Sequence, residues 1–281
     1  MNNKPIVFSL LLLWIVLFIL IPIGVMAVYS FWYVEDFKIV QQFTMRNYEE
    51  AFSNGTFLSL LWKTIKLSVL MGILATLISY PVAAFVCFYG GRYKNFLYLA
   101  VLAPLLVGYL IRVYAWRSIL GENGVINSIL TGTGILSQPT DKLLFNNFSV
   151  ILTMLCIAIP FTFIPIYNAI EKIPSSLLHA AADLGANPRQ TFLTVLLPLS
   201  LPGVSAGFMF AFIAALGDYM TPALVGGTSG ILVGNIIQSQ FGNSFNWPLG
   251  SAFATIILII TVAVIFVSQK MGDIKGVIEE G

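Results

Sequence analysis

The chain has 281 residues, of which 58% are hydrophobic and only 9% are charged, whereas a soluble domain carries about 25% charged residues. This composition excludes an ordinary soluble domain and indicates an integral membrane protein, so the lipid bilayer is its first partner. The formal net charge is only +2 and no basic cluster is present, so nothing indicates a nucleic-acid partner.

The first predicted element is an N-terminal transmembrane helix. No Asp, Glu, Lys or Arg occurs between Pro5 and Val34, and about 20 apolar residues are enough to span a bilayer. A cleaved signal peptide has a shorter apolar core and a small-residue cleavage site. We therefore interpret this segment as a retained first span.

Further charge-free stretches predict an all-α polytopic membrane protein with six transmembrane helices. We place the spans at about 6–33, 60–89, 95–119, 147–171, 203–222 and 249–271. The third span is short unless it continues through Arg112 to Leu120. The segment 226–250 is too polar and too rich in glycine for a lipid-facing helix, so it separates the last two spans.

Lysine and arginine counts in the loops leave the orientation open. With both termini in the cytoplasm, the inner set is Lys4, Arg92, Lys94, Lys172, Arg189, Lys270 and Lys275. The outer set is Lys38, Arg46, Lys63, Lys66, Arg112, Arg117 and Lys142. The two sets are equal in size, so the orientation needs another argument.

The loop between the fourth and fifth spans predicts two short helices. Pro174 suits a helical first turn. One face of the first helix holds Leu177, Ala180, Ala181 and Leu184, and Gly185 is a natural C-terminal stop. Asn187-Pro188-Arg189-Gln190 has the capping-box pattern that starts a second helix. We expect that helix to run to about Leu196 and to break at Pro198 and Pro202.

The alanine-rich first helix of this loop has two interpretations. Small side chains let another backbone approach closely, which favours a helix docked in a groove of a partner protein. An interfacial helix that rests on lipid headgroups would show the same periodicity. Periodicity alone leaves both interpretations open.

The same loop resembles the EAA loop of ABC-importer permeases, with the pattern EAA, three residues, G, nine residues, I, one residue, LP. The matching residues are Ala180-Ala181, Gly185, Val195 and Leu197-Pro198, flanked by Ile173-Pro174, Asp183-Leu184-Gly185-Ala186 and Pro202-Gly203. In that family the loop is a cytoplasmic coupling helix that docks into the ATPase subunit. The resemblance therefore implies that loop 172–200 and both termini face the cytoplasm of a bacterial cell.

The resemblance carries ATPase coupling over to five residues: His179, Ala180, Ala181, Asp183 and Gly185. One of them departs from the family pattern, because His179 stands where the family has Glu. Asp183 lies four residues further on the same face and could supply the negative charge instead. Alternatively, His179 is simply solvated.

Four longer stretches resemble the permeases of spermidine/putrescine importers of the PotB type. They are SYPVAAFVCF (79–88), LIRVYAWRSIL (110–120), NPRQTFLTVLLPLSLPG (187–203) and LVGNIIQSQFGNSFNWPLGSA (232–252). The resemblance implies the type I ABC-importer permease fold, a second permease of the PotC type, two ATPase subunits and an external polyamine-binding protein. It also implies an N-terminal helix with an external loop (1–59), a five-helix core (60–271) and a cytoplasmic tail (272–281).

Asp218 is the leading candidate for a substrate-path residue, because an ionisable residue in a membrane helix is costly and usually functional. Polyamines are flexible polycations, so their path should offer carboxylates and aromatic faces. The candidate path residues are Asp218, Tyr219, Tyr114 and Trp116. Alternatively, Asp218 caps a helix or pairs with Arg112 or Arg117, and the aromatic residues belong to an interfacial belt.

The sequence has no features of an enzyme. It lacks the G-x-x-x-x-G-K-[ST] phosphate-binding loop, so ATP hydrolysis belongs to a partner. Cys87 and Cys156 lie in apolar runs and His179 is the only histidine, so we expect no disulfide, metal or cofactor. Two other functions remain open: a permease of the same architecture for an oxyanion, iron or thiamine, and an ion-coupled secondary transporter.

Gly203 and Gly207 form a G-x-x-x-G pattern at the start of the fifth span. Its physical use is close helix packing. We expect these glycines to pack inside the chain rather than at an interface between subunits.

Overall fold

Long apolar helices dominate the structure, a computed structural model that describes the backbone of residues 4–272 and the side chains of residues 8–268. Within this part of the chain, five segments are long and apolar enough to cross a membrane. They are Phe8–Tyr29, Gly55–Tyr89, Asn147–Glu171, Pro188–Leu216 and Trp247–Ser268. A bent helix pair raises the number to six if it counts as one span. The predicted all-α polytopic fold is confirmed.

The described elements follow in chain order. The helices are α1 (Lys4–Ile15), α2 (Ile21–Tyr29), α3 (Arg46–Ser53), α4 (Gly55–Tyr89), α5 (Lys94–Leu102), α6 (Tyr109–Leu120), α7 (Val125–Gly132), α8 (Asn147–Glu171), α9 (Ser175–Asp183), α10 (Pro188–Thr191), α11 (Leu197–Leu216), α12 (Met220–Val225), α13 (Val233–Gly242) and α14 (Trp247–Gly272). A π-helical turn over Val16–Leu20 joins α1 to α2, and another over Phe192–Leu196 joins α10 to α11. The antiparallel strands β1 (Tyr33–Glu35) and β2 (Lys38–Val40) form one short hairpin.

The predicted continuous third span over 95–119 is wrong. The helices α5 and α6 belong to two segments that are bent by 92° at a short break. The 3₁₀ turn Ala103–Leu106 contains Pro104 and is followed by Val107 in an extended conformation and by Gly108 with φ of −55° and ψ of 143°. Proline removes a helical hydrogen bond, and the two non-helical residues then turn the chain. The charged second half, with Arg112, therefore lies on a separate short helix.

The predicted break at Pro198 and Pro202 is also wrong, because α10, the π turn and α11 form one helical run. The amide of Leu197 bonds to the carbonyl of Phe192, five residues back, which is the hydrogen-bond pattern of a π turn. The hydroxyl of Ser200 donates to the carbonyl of Leu196 at 2.7 Å. The wider π turn just before Pro198 and the hydroxyl bond at Ser200 accompany a helix that continues past both prolines, and such local adjustments let membrane helices tolerate proline.

The chain forms two units, and the first contains residues up to Leu61 together with Val233–Val262. The side-chain amide of Asn47 donates to the carbonyls of Ser30, at 2.8 Å, and Trp32, at 2.5 Å, and ties α3 to the end of the first span. In the same unit Phe57 stacks on Phe253 with ring centroids 4.0 Å apart.

The second unit contains Trp62–Leu232 and the residues from Ala263 onward. Its centre is the packing of α8 against α11. A Cβ atom on Gly207 would lie 2.8 Å from the carbonyl oxygen of Thr162, and one on Gly203 would lie 2.5 Å from that of Pro165. The glycines therefore allow close approach of two helices in the same chain, as predicted.

Some predicted features lie wholly or partly outside the described residues. They are the side chains of Lys4 and Lys270, the residue Lys275, and the part of the predicted tail (272–281) that follows Gly272. Cys87 and Cys156 are described, and neither forms a disulfide.

Candidate functional site

A cavity of about 320 Å³ lies in the second unit where α11 ends. Its lining residues come from α4, α6, α8, α11, the turn before α12 and the first residue of α12. They are Met71, Tyr109, Met154, Ile157, Ala158, Ala211, Ala214, Ala215, Gly217, Asp218, Tyr219 and Met220. Among them Asp218 is the only charged residue. The cavity therefore combines apolar and sulfur-containing walls with two tyrosines and one carboxylate.

The carboxylate of Asp218 is held by the first turn of α12. Its Oδ1 accepts a hydrogen bond from the amide of Thr221 at 3.1 Å, and its Oδ2 accepts one from the Thr221 hydroxyl at 2.6 Å. The Tyr109 hydroxyl lies 2.7 Å from the same Thr221 oxygen. Because an ionised carboxylate can only accept, Thr221 donates to Asp218 and Tyr109 donates to Thr221. Asp218 therefore has a capping role, one of the alternatives that the sequence leaves open.

The other alternative, an ion pair of Asp218 with Arg112 or Arg117, is absent from the described part of the chain, whose only ion pair joins Lys94 and Glu171. The guanidinium of Arg117 lies 5.7 Å from the ring centroid of Phe145. Nε and Nη1 of Arg112 are buried and have no hydrogen-bond partner. The charge of Asp218 is thus stabilised by hydrogen bonds and is not neutralised by a described cation.

The candidate path residues occupy different places. Asp218 and Tyr219 both line the cavity, whereas Tyr114 and Trp116 are not among its lining residues. Tyr114 is 52% exposed. Sequence reasoning missed Tyr109, although Tyr109, Val113 and Trp116 share one face of α6 at helical spacing, and buried Val113 marks that face as the inward one.

The helix α9 ends as the sequence predicts. Gly185 has φ of +82°, a left-handed conformation that glycine adopts without strain. The amide of Gly185 bonds to the carbonyl of Ala182 at 2.9 Å, and that of Ala186 bonds to Ala181 at 3.0 Å, which together form a Schellman motif. Pro174 is the N-cap, one position before the first helical residue. The predicted first helix is therefore confirmed, with a sharp and rigid end.

The predicted capping box at the start of the second helix is present. The amide of Gln190 donates to Asn187 Oδ1 at 2.9 Å, and the amide of Asn187 donates to Gln190 Oε1 at 2.9 Å. Pro188 occupies the first turn of α10. The two helices are thus joined by a connection whose two ends are fixed by local hydrogen bonds.

The outward face of α9 is uncovered in this chain. Leu184 is 89% exposed and Leu177 is 44% exposed, and Ala180 beside them is also exposed. His179 and Asp183 are exposed as well. The helix therefore presents two leucines, a small alanine and two ionisable groups on its surface.

Comparisons with known proteins agree with this architecture. Residues 95–271 match the family described as "Binding-protein-dependent transport system inner membrane component". The spermidine/putrescine transport system permease protein PotB of Haemophilus influenzae is 35% identical over 273 residues, 96% of this chain and 94% of that protein. The inner membrane ABC transporter permease protein YdcU of Escherichia coli is 32% identical over 256 residues, 86% of this chain and 81% of that protein.

The fold also has a solved counterpart. A chain of a bacterial alginate ABC transporter, crystallised in complex with an alginate pentasaccharide-bound periplasmic protein, superposes with a TM-score of 0.77 at 16% identity and covers 96% of this chain and 94% of that chain. The structure therefore has the type I ABC-importer permease fold. Together with the family match over residues 95–271, this shows that the chain belongs to the binding-protein-dependent transport system inner membrane component family, whose members are the permeases of ABC importers.

Proposed function

We propose that this chain is a permease subunit of an ATP-driven ABC importer that carries polyamines such as spermidine and putrescine. The observation that carries the proposal is the 35% identity with PotB over 96% of the chain. The same relationship supports a second permease of the PotC type, two ATPase subunits and an external polyamine-binding protein as partners. In this assembly the chain lies in the bacterial cytoplasmic membrane with both termini inside, and the ATPase subunits hydrolyse the ATP.

The chemistry of the cavity supports a cationic substrate. The Asp218 carboxylate is half-buried, is hydrogen-bonded to Thr221, and lies beside the rings of Tyr109 and Tyr219. A carboxylate with aromatic faces favours an alkylammonium ion and disfavours the oxyanion that another permease of this architecture could carry. We assign Asp218 and Tyr219 to the substrate path and add Tyr109, which orients Thr221. Tyr114 and Trp116 stay predicted path residues on α6, although neither lines the cavity.

The exposed face of α9 supports a docking role. An exposed Leu184 beside a small Ala180 offers apolar contact and close approach, which suits a helix inserted in a groove of the ATPase subunit. Ala181, Asp183 and Gly185 complete the proposed coupling surface, and His179 lies at its edge. Nucleotide binding to the ATPase subunits in the cytoplasm and docking of the loaded binding protein outside the cell both shift the equilibrium between two conformations of the helix bundle. Alternation between these two conformations gives alternating access.

The test is the ATPase activity of the complete assembly. The chain is purified with a second permease of the PotC type and with ATPase subunits from the same organism, and the complex is placed in nanodiscs. We expect ATP hydrolysis to rise when the spermidine-loaded binding protein is added, and to rise much less with the same protein unloaded. A complex that is fully assembled but responds equally to the loaded and unloaded protein would contradict the proposal.

A further inference from the structure

A lysine ammonium in the second unit is bound by backbone carbonyls instead of a carboxylate. Lys63 on α4 donates from Nζ to the carbonyl oxygen of Ser229 and, at 3.0 Å, to that of Ile231. No described carboxylate lies within ion-pair distance of Lys63. Two backbone carbonyl dipoles therefore stabilise the ammonium group of Lys63.

The loop that supplies these carbonyls has a conformation that only glycine allows at its centre. The amide of Gly230 bonds to the carbonyl of Gly226 at 2.8 Å, and a Cβ on Gly230 would lie within 2.6 Å of the Gly226 backbone. Gly227 has φ of +56°, which favours glycine. This tight turn places the carbonyls on either side of Gly230 so that both reach the same cation.

The loop is also anchored independently of Lys63. The carbonyl of Val225, at the end of α12, accepts from the amide of Phe145 at 2.9 Å and from the buried hydroxyl of Ser149 at 2.6 Å. The carbonyl pair is thus presented by a turn that α8 and its preceding loop hold in place. A site held this way can keep its shape when its cation is exchanged.

We propose that the carbonyls of Ser229 and Ile231 form a binding site for a primary ammonium group, which Lys63 occupies in the present state and which an amino end of the substrate takes over during transport. The inference rests on the proposed polyamine function for the identity of the substrate. Both Lys63 and a polyamine end in a primary ammonium on a flexible alkyl chain, so the same three N–H donors serve either one. Both hydrogen bonds of Lys63 are exposed at the surface of this chain, so the exchange needs no unfolding of the core.

The experiment vacates the site and refills it with a small amine. In the purified permease–ATPase complex, Lys63→Ala removes the side chain beyond Cβ, and n-propylamine replaces the missing atoms as its ammonium ion. We expect n-propylamine to raise the thermal unfolding midpoint of Lys63→Ala in a saturable way, by about 2–4 °C, and spermidine to do the same. Propyltrimethylammonium has the same charge and no N–H donor, so it should have no effect.

Lys66→Ala is the matched control. Lys66 lies three residues further on α4, and its Nζ is 5.2 Å from the ring centroid of Trp62, away from the carbonyl pair. Its variant and the wild type should show no midpoint rise with n-propylamine. If Lys63→Ala is not recovered from membranes, Lys63→Met fills the space of the lysine side chain up to Cε and is probed with the ammonium ion in the same way.

Two results would overturn the inference. One is a variant at position 63 that does not respond to the small amine, or responds equally to the trimethylammonium compound. The other is a variant that binds the small amine and does not respond to spermidine, because the substrate then does not use the site. Neither result needs transport to be measured, so both leave the polyamine assignment to be judged by the ATPase and uptake experiments.

Discussion

The role of Asp218 can be divided into a capping part and a charge part. In the structure the Thr221 amide lies 3.1 Å from Oδ1 of Asp218. In Asp218→Asn the side-chain oxygen can still accept this hydrogen bond, and Asn caps helices as well as Asp does. The Thr221 hydroxyl, 2.6 Å from Oδ2, can turn to accept from the new amide group. No described ion pair is lost, so the free energy of unfolding should change by less than about 1 kcal/mol.

Transport should respond differently, because the variant removes the only charge on the cavity wall. One charged contact to a partly hydrated cation is worth roughly 1–3 kcal/mol, which corresponds to a reduction in polyamine uptake of about five- to 150-fold. The assay compares uptake by membrane vesicles at matched protein level, and the affinity of the external binding protein should not change. Asp218→Glu should keep part of the activity.

Two control variants separate the capping contribution of Asp218 from its charge contribution. Asp218→Ala loses both cap and charge, so it should lose about 1 kcal/mol of stability in addition to uptake. Thr221→Val keeps the charge and removes the hydroxyl that joins Asp218 to Tyr109, so its loss of uptake should be smaller than that of Asp218→Asn. Wild-type uptake by Asp218→Asn at normal membrane level would refute the path assignment, and loss of the protein from the membrane would show that the carboxylate is structural.

The remaining predictions concern coupling, packing and catalysis. Gly185→Val places a β-branched residue at φ of +82°, and Ala181→Trp blocks the close approach of a partner to α9. Both variants should insert in the membrane normally but lose either ATPase docking or the stimulation of ATP hydrolysis by the loaded binding protein. Full stimulation in both variants would exclude α9 as the docking element. His179→Glu restores the family residue and should keep at least wild-type stimulation, measured in the same assay. Gly207→Ala forces α8 and α11 apart, so it should lower the free energy of unfolding, measured in detergent, by about 1–3 kcal/mol. Gly132→Ala is the control: no atom lies within 4 Å of its added Cβ, so it should lower the free energy of unfolding far less. The purified chain, free of ATPase subunit, should not hydrolyse ATP.

The features that local sequence determines could be predicted. Long apolar stretches predict the spans, because a bilayer-crossing helix must be apolar over its length. The end of α9 at Gly185 and the capping box of Asn187 and Gln190 follow from hydrogen bonds between residues at most five apart. The G-x-x-x-G pattern of Gly203 and Gly207 predicts packing, although it does not name α8 as the partner.

The features that depend on tertiary structure could not be predicted. Proline both ends and kinks helices, and the sequence does not show that Pro104 accompanies a 92° bend whereas Pro198 follows a π turn in a continuous helix. Residue type selects Asp218 and Tyr219 as candidate path residues, and both line the cavity, but it does not select Tyr109. That tyrosine reaches the site through Thr221, 112 residues away in the sequence, and no local pattern encodes such a contact.

The most direct test of the account is uptake of radiolabelled spermidine by the complete importer in proteoliposomes. The vesicles contain this permease, its partner permease and the ATPase subunits, with ATP inside and the loaded binding protein outside. The account predicts ATP-dependent accumulation that unlabelled spermidine or putrescine suppresses and that sulfate does not. Accumulation of an oxyanion in place of spermidine, or spermidine uptake that continues without ATP, would contradict it.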